Sequence, residues 1–135
     1  MTVNPIKIIL CRVGERPVLD ALPGGDSARQ LRMMQALVGG YVERVPLVGV
    51  LAVYENEDAI ALDLPFNRTI VNAARTQTRI RGDFVIVGES YRTASLVDVS
   101  DADFEFYRNA WSTTNETASA AMRAARRAVG HSIVM

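Results

Sequence analysis

Leu37-Val38-Gly39-Gly40-Tyr41-Val42-Glu43-Arg44-Val45-Pro46-Leu47 is where one backbone periodicity stops and another begins. Upstream, Leu31, Met34, Leu37 and Val38 recur at spacings of three and four, the repeat of a helix with one apolar face. Arg29, Arg32 and Gln35 take the opposite face, and Ser27 stands where an N-cap is expected. Either glycine of the pair suits the left-handed position that ends a helix, because glycine has no Cβ to clash there. Downstream, Tyr41 to Leu47 alternates as a strand, and Val48 to Tyr54 reads as a second strand joined to it by a tight connection near Pro46 to Gly49. A helix that feeds directly into a hairpin belongs to a mixed, antiparallel architecture.

The flanking segments extend that reading. Ile6 to Val13 is apolar and β-branched, the Gly14-Glu15-Arg16-Pro17 turn follows, and Val18-Leu19 starts a return strand. After a polar turn at Glu55-Asn56-Glu57-Asp58, Ala59 to Leu62 is expected as another strand. Leu64-Pro65-Phe66-Asn67 is expected to open a second helix, Arg68 to Arg75, with Ile70, Val71 and Ala74 facing inward. Ile80 to Glu89 contains a strong strand, Phe84-Val85-Ile86-Val87, and Leu96-Val97 is expected to pair beside it. Ser100 and Asp103 have the spacing of a capping box for a helix through Trp111, whose stripe Phe104, Tyr107 and Trp111 reads as core. Thr113 and Glu116 repeat that spacing before a final helix, residues 114 to 129, with a narrow face of Ala118, Ala121, Met122 and Ala125. The expected fold is α+β: one domain over residues 1–135, a mainly antiparallel sheet of about five or six strands with three or four helices packed against it.

Bulk composition excludes several functions. The 135 residues are 49% hydrophobic and 22% charged, with 15 basic and 15 acidic side chains. A balanced chain has no broad positive field, which argues against non-specific nucleic-acid binding. No apolar run approaches the roughly twenty residues that cross a bilayer, and the start lacks a basic segment leading into an apolar one. The expected setting is therefore the cytoplasm, with no membrane partner.

The inventory of reactive groups is thin. One histidine, His131, and one cysteine, Cys11, leave no nitrogen/sulfur metal site and no Cys-His nucleophile. Cys11 lies in an apolar run and is expected to be buried and inert. Phosphate-cradling and nucleophile-elbow loops are absent, and the glycine pairs read as turns. Carboxylates at Glu55, Glu57 and Asp58, and at Asp98, Asp101 and Asp103, fit solvated turns and a helix start. No catalytic residue, metal or cofactor is expected. The strongest binding candidate is Asn67-Arg68, read as a helix start whose free N–H groups favour an anion. Arg68 pairing with Glu43 or Asp63 explains the same residues structurally. Arg79 and Arg81 project from one face of a strand, either to meet phosphates or to guard an edge. The candidate ligand site is thus Glu43, Asn67, Arg68, Arg79 and Arg81.

The order of these elements resembles an uncharacterised domain family of bacteriophages, plasmids and related bacterial genomes. It rests on Leu37 to Val42 as a Val-Gly-Gly-Tyr-like element, Leu64-Pro65-Phe66-Asn67-Arg68 as a Leu-Pro-x-Asn-Arg element, the glycine-containing strand Ile80 to Gly88, and Ser95-Leu96-Val97-Asp98. The resemblance covers about residues 6 to 111, and Ala59 departs from it where a glycine is usual. What it implies is a setting, an accessory protein of a mobile element in the bacterial host cytoplasm, with no catalytic residue to carry over.

Three functions are weighed on these grounds. The first is a non-catalytic protein that binds a small anionic ligand, such as a nucleotide-derived host defence signal, as a homo-oligomer assembled through its last helix. The second is a protein-binding module that inhibits a host factor. The third is an enzyme working with carboxylate and arginine groups alone, which the inventory disfavours.

Overall fold

The computed structural model describes residues 3–112. Its first helix, α1 (Ser27–Val38), stops at Gly39, which adopts φ 81° and donates its N–H to the carbonyl of Gln35 at 2.9 Å. The N-cap is Asp26 rather than Ser27. The Asp26 Oδ1 accepts from the amides of Ala28 and Arg29 at 3.1 and 3.2 Å. A carboxylate is the stronger acceptor for these orphan helix donors, so the boundary moves by one residue.

Eight strands surround this helix in sequence: β1 (Ile6–Cys11), β2 (Val18–Leu22), β3 (Val42–Pro46), β4 (Leu51–Asn56), β5 (Phe66–Val71), β6 (Gln77–Arg81), β7 (Phe84–Glu89) and β8 (Leu96–Val97). The main sheet has the order β2-β1-β7-β4-β3, with β8 also paired to β7. Every pairing is antiparallel, and β5 with β6 forms a separate two-stranded sheet. A second helix, α2 (Asp101–Ala110), closes the described chain. Ser100 caps it, its Oγ accepting from the Asp103 amide at 3.0 Å.

Alternation along each strand divides the core into two layers. Ile8, Leu10, Ala52, Val85 and Val87 point toward α1 and meet Met34. Ile9, Cys11, Val53, Phe84 and Ile86 point the other way, onto Ile70 and Ile80 of the small sheet and Tyr107 and Trp111 of α2. The central strand β7 is covered on both faces, which is why its sequence is a continuous apolar run. Trp111 stacks edge-on to Phe84, ring centroids 5.9 Å apart, so the Phe104-Tyr107-Trp111 stripe is core.

Three expectations need correction. Residues Arg68 to Arg75 are not a helix: Phe66–Val71 is β5, and Asn72 begins a turn in which its Oδ1 accepts from the Thr76 amide at 2.9 Å. The β-branched run Thr69-Ile70-Val71 prefers a pleated surface, and β6 supplies the partner that short-range periodicity could not reveal. Ala59 to Leu62 is a turn rather than a strand, with Ile60 85% exposed and Asp63 in the left-handed region at φ 52°. The helix count among the described residues is accordingly two, not three or four. The final helix expected over 114 to 129, and His131 beyond it, lie outside the described residues.

Candidate functional site

Asn67 and Arg68 sit at the heart of the molecule, not on a ligand-facing helix start. The pairing of β5 with β6 shifts register between Phe66 and Arg68, a bulge that turns successive side chains inward. Asn67 Nδ2 donates to the carbonyls of Cys11 and Gly82, both at 2.9 Å. Arg68 is 1% exposed. Its Nη1 donates to the carbonyl and Oδ1 of Asn67 at 3.1 and 2.9 Å, and its Nη2 to the carbonyls of Glu15 and Trp111 at 3.0 and 3.3 Å. Burial pushes the guanidinium pKa down from its ordinary value. The arginine expected to meet an anion instead ties the β1–β2 turn, β5 and the end of α2 together. Neither Glu43 nor Asp63 is among these acceptors.

The other three candidates lie apart from that pair. Glu43, on the edge strand β3, stands directly opposite Glu55 of β4. Burial, and then the charge of Glu43, raises the Glu55 carboxyl to about 7. Two facing carboxylates favour a proton or a cation, not an anion. Arg79 and Arg81 do share the solvent side of β6, either side of buried Ile80. Arg79 lies over the Phe66 ring at 4.5 Å, and Arg81 donates from Nη1 to the Leu64 carbonyl at 3.1 Å.

The structure instead gathers Arg44, Tyr54 and Glu89, none of them nominated by the sequence reading. Arg44 and Tyr54 are cross-strand partners in the β3–β4 hairpin, and Glu89 comes from the end of β7 on the same face. Arg44 grips the Glu89 carboxylate through Nε, 3.0 Å from both oxygens, and Nη2, 2.6 Å from Oε1. Tyr54 donates its hydroxyl to Oε2 at 2.9 Å. The Arg44 hydrogen bond, ahead of the Tyr54 one, holds Glu89 below the usual carboxylate range, while Glu89 raises the Arg44 pKa. Burial, then the hydrogen bond to Glu89, pushes the Tyr54 phenol to about 12. All three groups therefore keep one protonation state near neutrality. They can hold a ligand by fixed charge but have no proton to trade there.

Three surface cavities border this cluster. A cleft of about 580 Å³ lies between α1 and residues 93–96, with Tyr54 and Glu89 in its wall. On the Arg44 side are cavities of about 360 and 320 Å³, both lined by Arg44, Gly49 and Tyr91. Tyr91 spans from one loop to the other, its hydroxyl donating to the Gly49 carbonyl at 2.8 Å. Among the described residues, no three His, Cys, Asp or Glu side chains gather to hold a metal, and no helix is long and apolar enough to cross a membrane. Cys11 is buried, and burial drives its thiol pKa far up.

With this geometry in view, comparison with protein-family models finds one described as a domain of unknown function, DUF3846, matching residues 6–112. The chain belongs to the DUF3846 family. The match begins with β1 and ends just after Trp111, so this DUF3846 domain includes both sheets, both described helices and the Arg44-Tyr54-Glu89 cluster. Searches of curated proteins and of solved structures return no match. Residue roles in this DUF3846 domain therefore rest on its own geometry. Hairpin symmetry about Gly49 was the sequence signal that could have paired Arg44 with Tyr54. Nothing local could have added Glu89, which arrives through β4–β7 pairing.

Proposed function

We propose that this DUF3846 protein is a non-catalytic accessory protein of a phage or related mobile element, which binds a small anionic ligand in an oligomeric assembly. A nucleotide-derived host signal is the ligand class this setting favours. The supporting observation is the posture of Arg44. Its side chain is 47% exposed and lines two adjoining cavities, yet Glu89 fixes the plane of its guanidinium. Nε and Nη2 are engaged, whereas Nη1 has no partner among the described residues. A guanidinium braced on one edge presents the other to a phosphate or carboxylate with little ordering left to lose.

Calorimetry of the full chain against linear and cyclic nucleotides tests this. The expected result is saturable heat with at least one nucleotide, weakened about tenfold by Arg44→Lys, which keeps the charge and loses the planar fork. Absence of heat across the panel, or equal affinity in the variant, overturns the site. Light scattering tests the assembly: deleting residues 113–135 is expected to reduce an oligomeric mass to that of a monomer.

A second reading, a module that inhibits a host protein, draws on Ile60 and Leu62, which are 85% and 58% exposed on one turn. Host-protein capture lost on Ile60→Ser but kept in Arg44→Lys would favour it over ligand binding.

A further inference from the structure

The turn joining β3 to β4 and the turn joining β5 to β6 are tied together, Ala73 donating its N–H to the Leu47 carbonyl at 3.0 Å. Both turns line the 320 Å³ cavity, with Arg44 and Tyr91 at its border. Backbone acceptors in the first turn are already occupied. The Leu47 carbonyl takes Ala73, the Val48 carbonyl takes the Leu51 amide at 2.9 Å, and the Gly49 carbonyl takes the Tyr91 hydroxyl at 2.8 Å. Donors there are open. The amides of Val48, Gly49 and Val50 have no partner among the described residues, and neither has Arg44 Nη1. Successive unpaired amides in a turn with Gly49 at φ 56° form a concavity suited to an anion. Because Glu89 already neutralises Arg44, these amides carry much of that attraction.

Asn72 adds a donor of another kind. Its Oδ1 accepts from the Thr76 amide at 2.9 Å, which settles the end of the side chain that closes the turn. Nδ2 has no partner among the described residues, and Asn72 lines the cavity beside Pro46, Val48 and Ala74. Tyr91 is the second unusual feature. It is 82% exposed, yet its bond to Gly49 fixes where the ring stands. A ring held in place without burial loses side-chain freedom and gains little apolar contact. A flat ligand laid against it would supply that contact.

We infer that the Arg44 site takes a nucleotide and that Tyr91 and Asn72 read its base. The phosphate meets the amides of residues 48–50 and Arg44 Nη1. The base stacks on Tyr91, and a carbonyl on its edge accepts from Asn72 Nδ2. This rests on the anion-binding reading of Arg44 and adds the two residues that set specificity. Guanine presents a carbonyl where adenine presents an amino group, so a lining of donors favours guanine. Stacking separates a nucleotide from a bare sugar phosphate, while Asn72 separates one base from another.

NMR titration of the full chain with GMP, AMP and ribose 5-phosphate tests this and keeps the two readings apart. All three are expected to shift the amides of residues 48–50, and GMP most strongly the Asn72 side-chain amide. GMP should bind about tenfold more tightly than ribose 5-phosphate and about fivefold more tightly than AMP. Tyr91→Leu removes the ring and should lower GMP to the level of ribose 5-phosphate, whose own affinity stays unchanged. Asn72→Asp keeps the acceptor that closes the turn and loses the donor. It should abolish the ratio of GMP to AMP affinity, a ratio in which the added charge cancels. The inference is overturned if GMP binds no better than ribose 5-phosphate or AMP, or if a folded Tyr91→Leu or Asn72→Asp protein keeps the parent's preferences. In those cases binding of ribose 5-phosphate leaves the Arg44 reading standing. If none of the three shifts residues 48–50, both are overturned.

Discussion

Arg68 Nη2 donates to the backbone carbonyl of Trp111 at 3.3 Å, across forty-three residues of chain. Trp111 is the C-cap of α2, where the helix leaves unpaired carbonyls and a partial negative charge. A buried cation placed there answers both. The same guanidinium reaches the Glu15 carbonyl in the β1–β2 turn, so one side chain joins three parts of the fold. The arginine that looked available to a ligand is a fastener.

Replacing its neighbour should therefore loosen the whole domain. Asn67→Ala removes the donors to Cys11 and Gly82 and leaves both carbonyls buried. A loss of about 2–3 kcal/mol in urea unfolding is expected. An effect below about 0.5 kcal/mol would show that this tie is not supporting the fold.

Tyr54→Phe deletes one hydrogen bond to an ionised carboxylate while keeping the ring in place. The expected cost is about 1–2 kcal/mol at neutral pH. Because Glu89 titrates below its ordinary range in the folded state, its contribution is complete above the unfolded carboxylate pKa and fades as pH falls through the folded one. The variant and the parent should therefore converge in stability in acid. Parallel stability curves down to about pH 2 would rule out this account.

The Glu43–Glu55 pair predicts the opposite slope. Glu55 holds its proton up to about 7 when folded and releases it near 4.5 when unfolded, so the native state binds more protons between those values. Stability should fall as pH rises through that window. Glu43→Gln is expected to recover about 1 kcal/mol at pH 8.5 and almost nothing at pH 4. Urea midpoints at the two pH values decide it, and equal gains at both would contradict the pairing.

Cys11 should resist a thiol reagent in the native protein. It is 2% exposed, and burial suppresses its thiolate. Labelling is expected only at the rate of unfolding, rising with denaturant. Rapid stoichiometric labelling in buffer would show the strand β1 to be open.

Some of this was legible from single segments. Gly39 ends α1 because a helix terminus needs a left-handed residue, and Ser100 begins α2 because its hydroxyl reaches the Asp103 amide. The run Phe84 to Val87 announced a strand. These are short-range matters of backbone sterics, capping and side-chain period. Leu64 to Arg75 misled for the same reason: Pro65, Asn67 and the apolar spacing fit a helix locally, and only the cross-strand partner β6 decides for a strand.

The site was less legible still. Arg44, Tyr54 and Glu89 are separated by ten and thirty-five residues, and they meet because β4 lies between β3 and β7 in a fixed register. By itself the chain determined where α1 stops and where α2 starts, that Phe84 to Val87 is a strand, that its lone cysteine is buried, and how few proton-transfer groups it owns. Tertiary structure alone decided which arginine is buried and which faces a cavity. Exposure depends on what a distant strand or helix lays over a side chain, and a bulge at Asn67 was enough to send Arg68 inward.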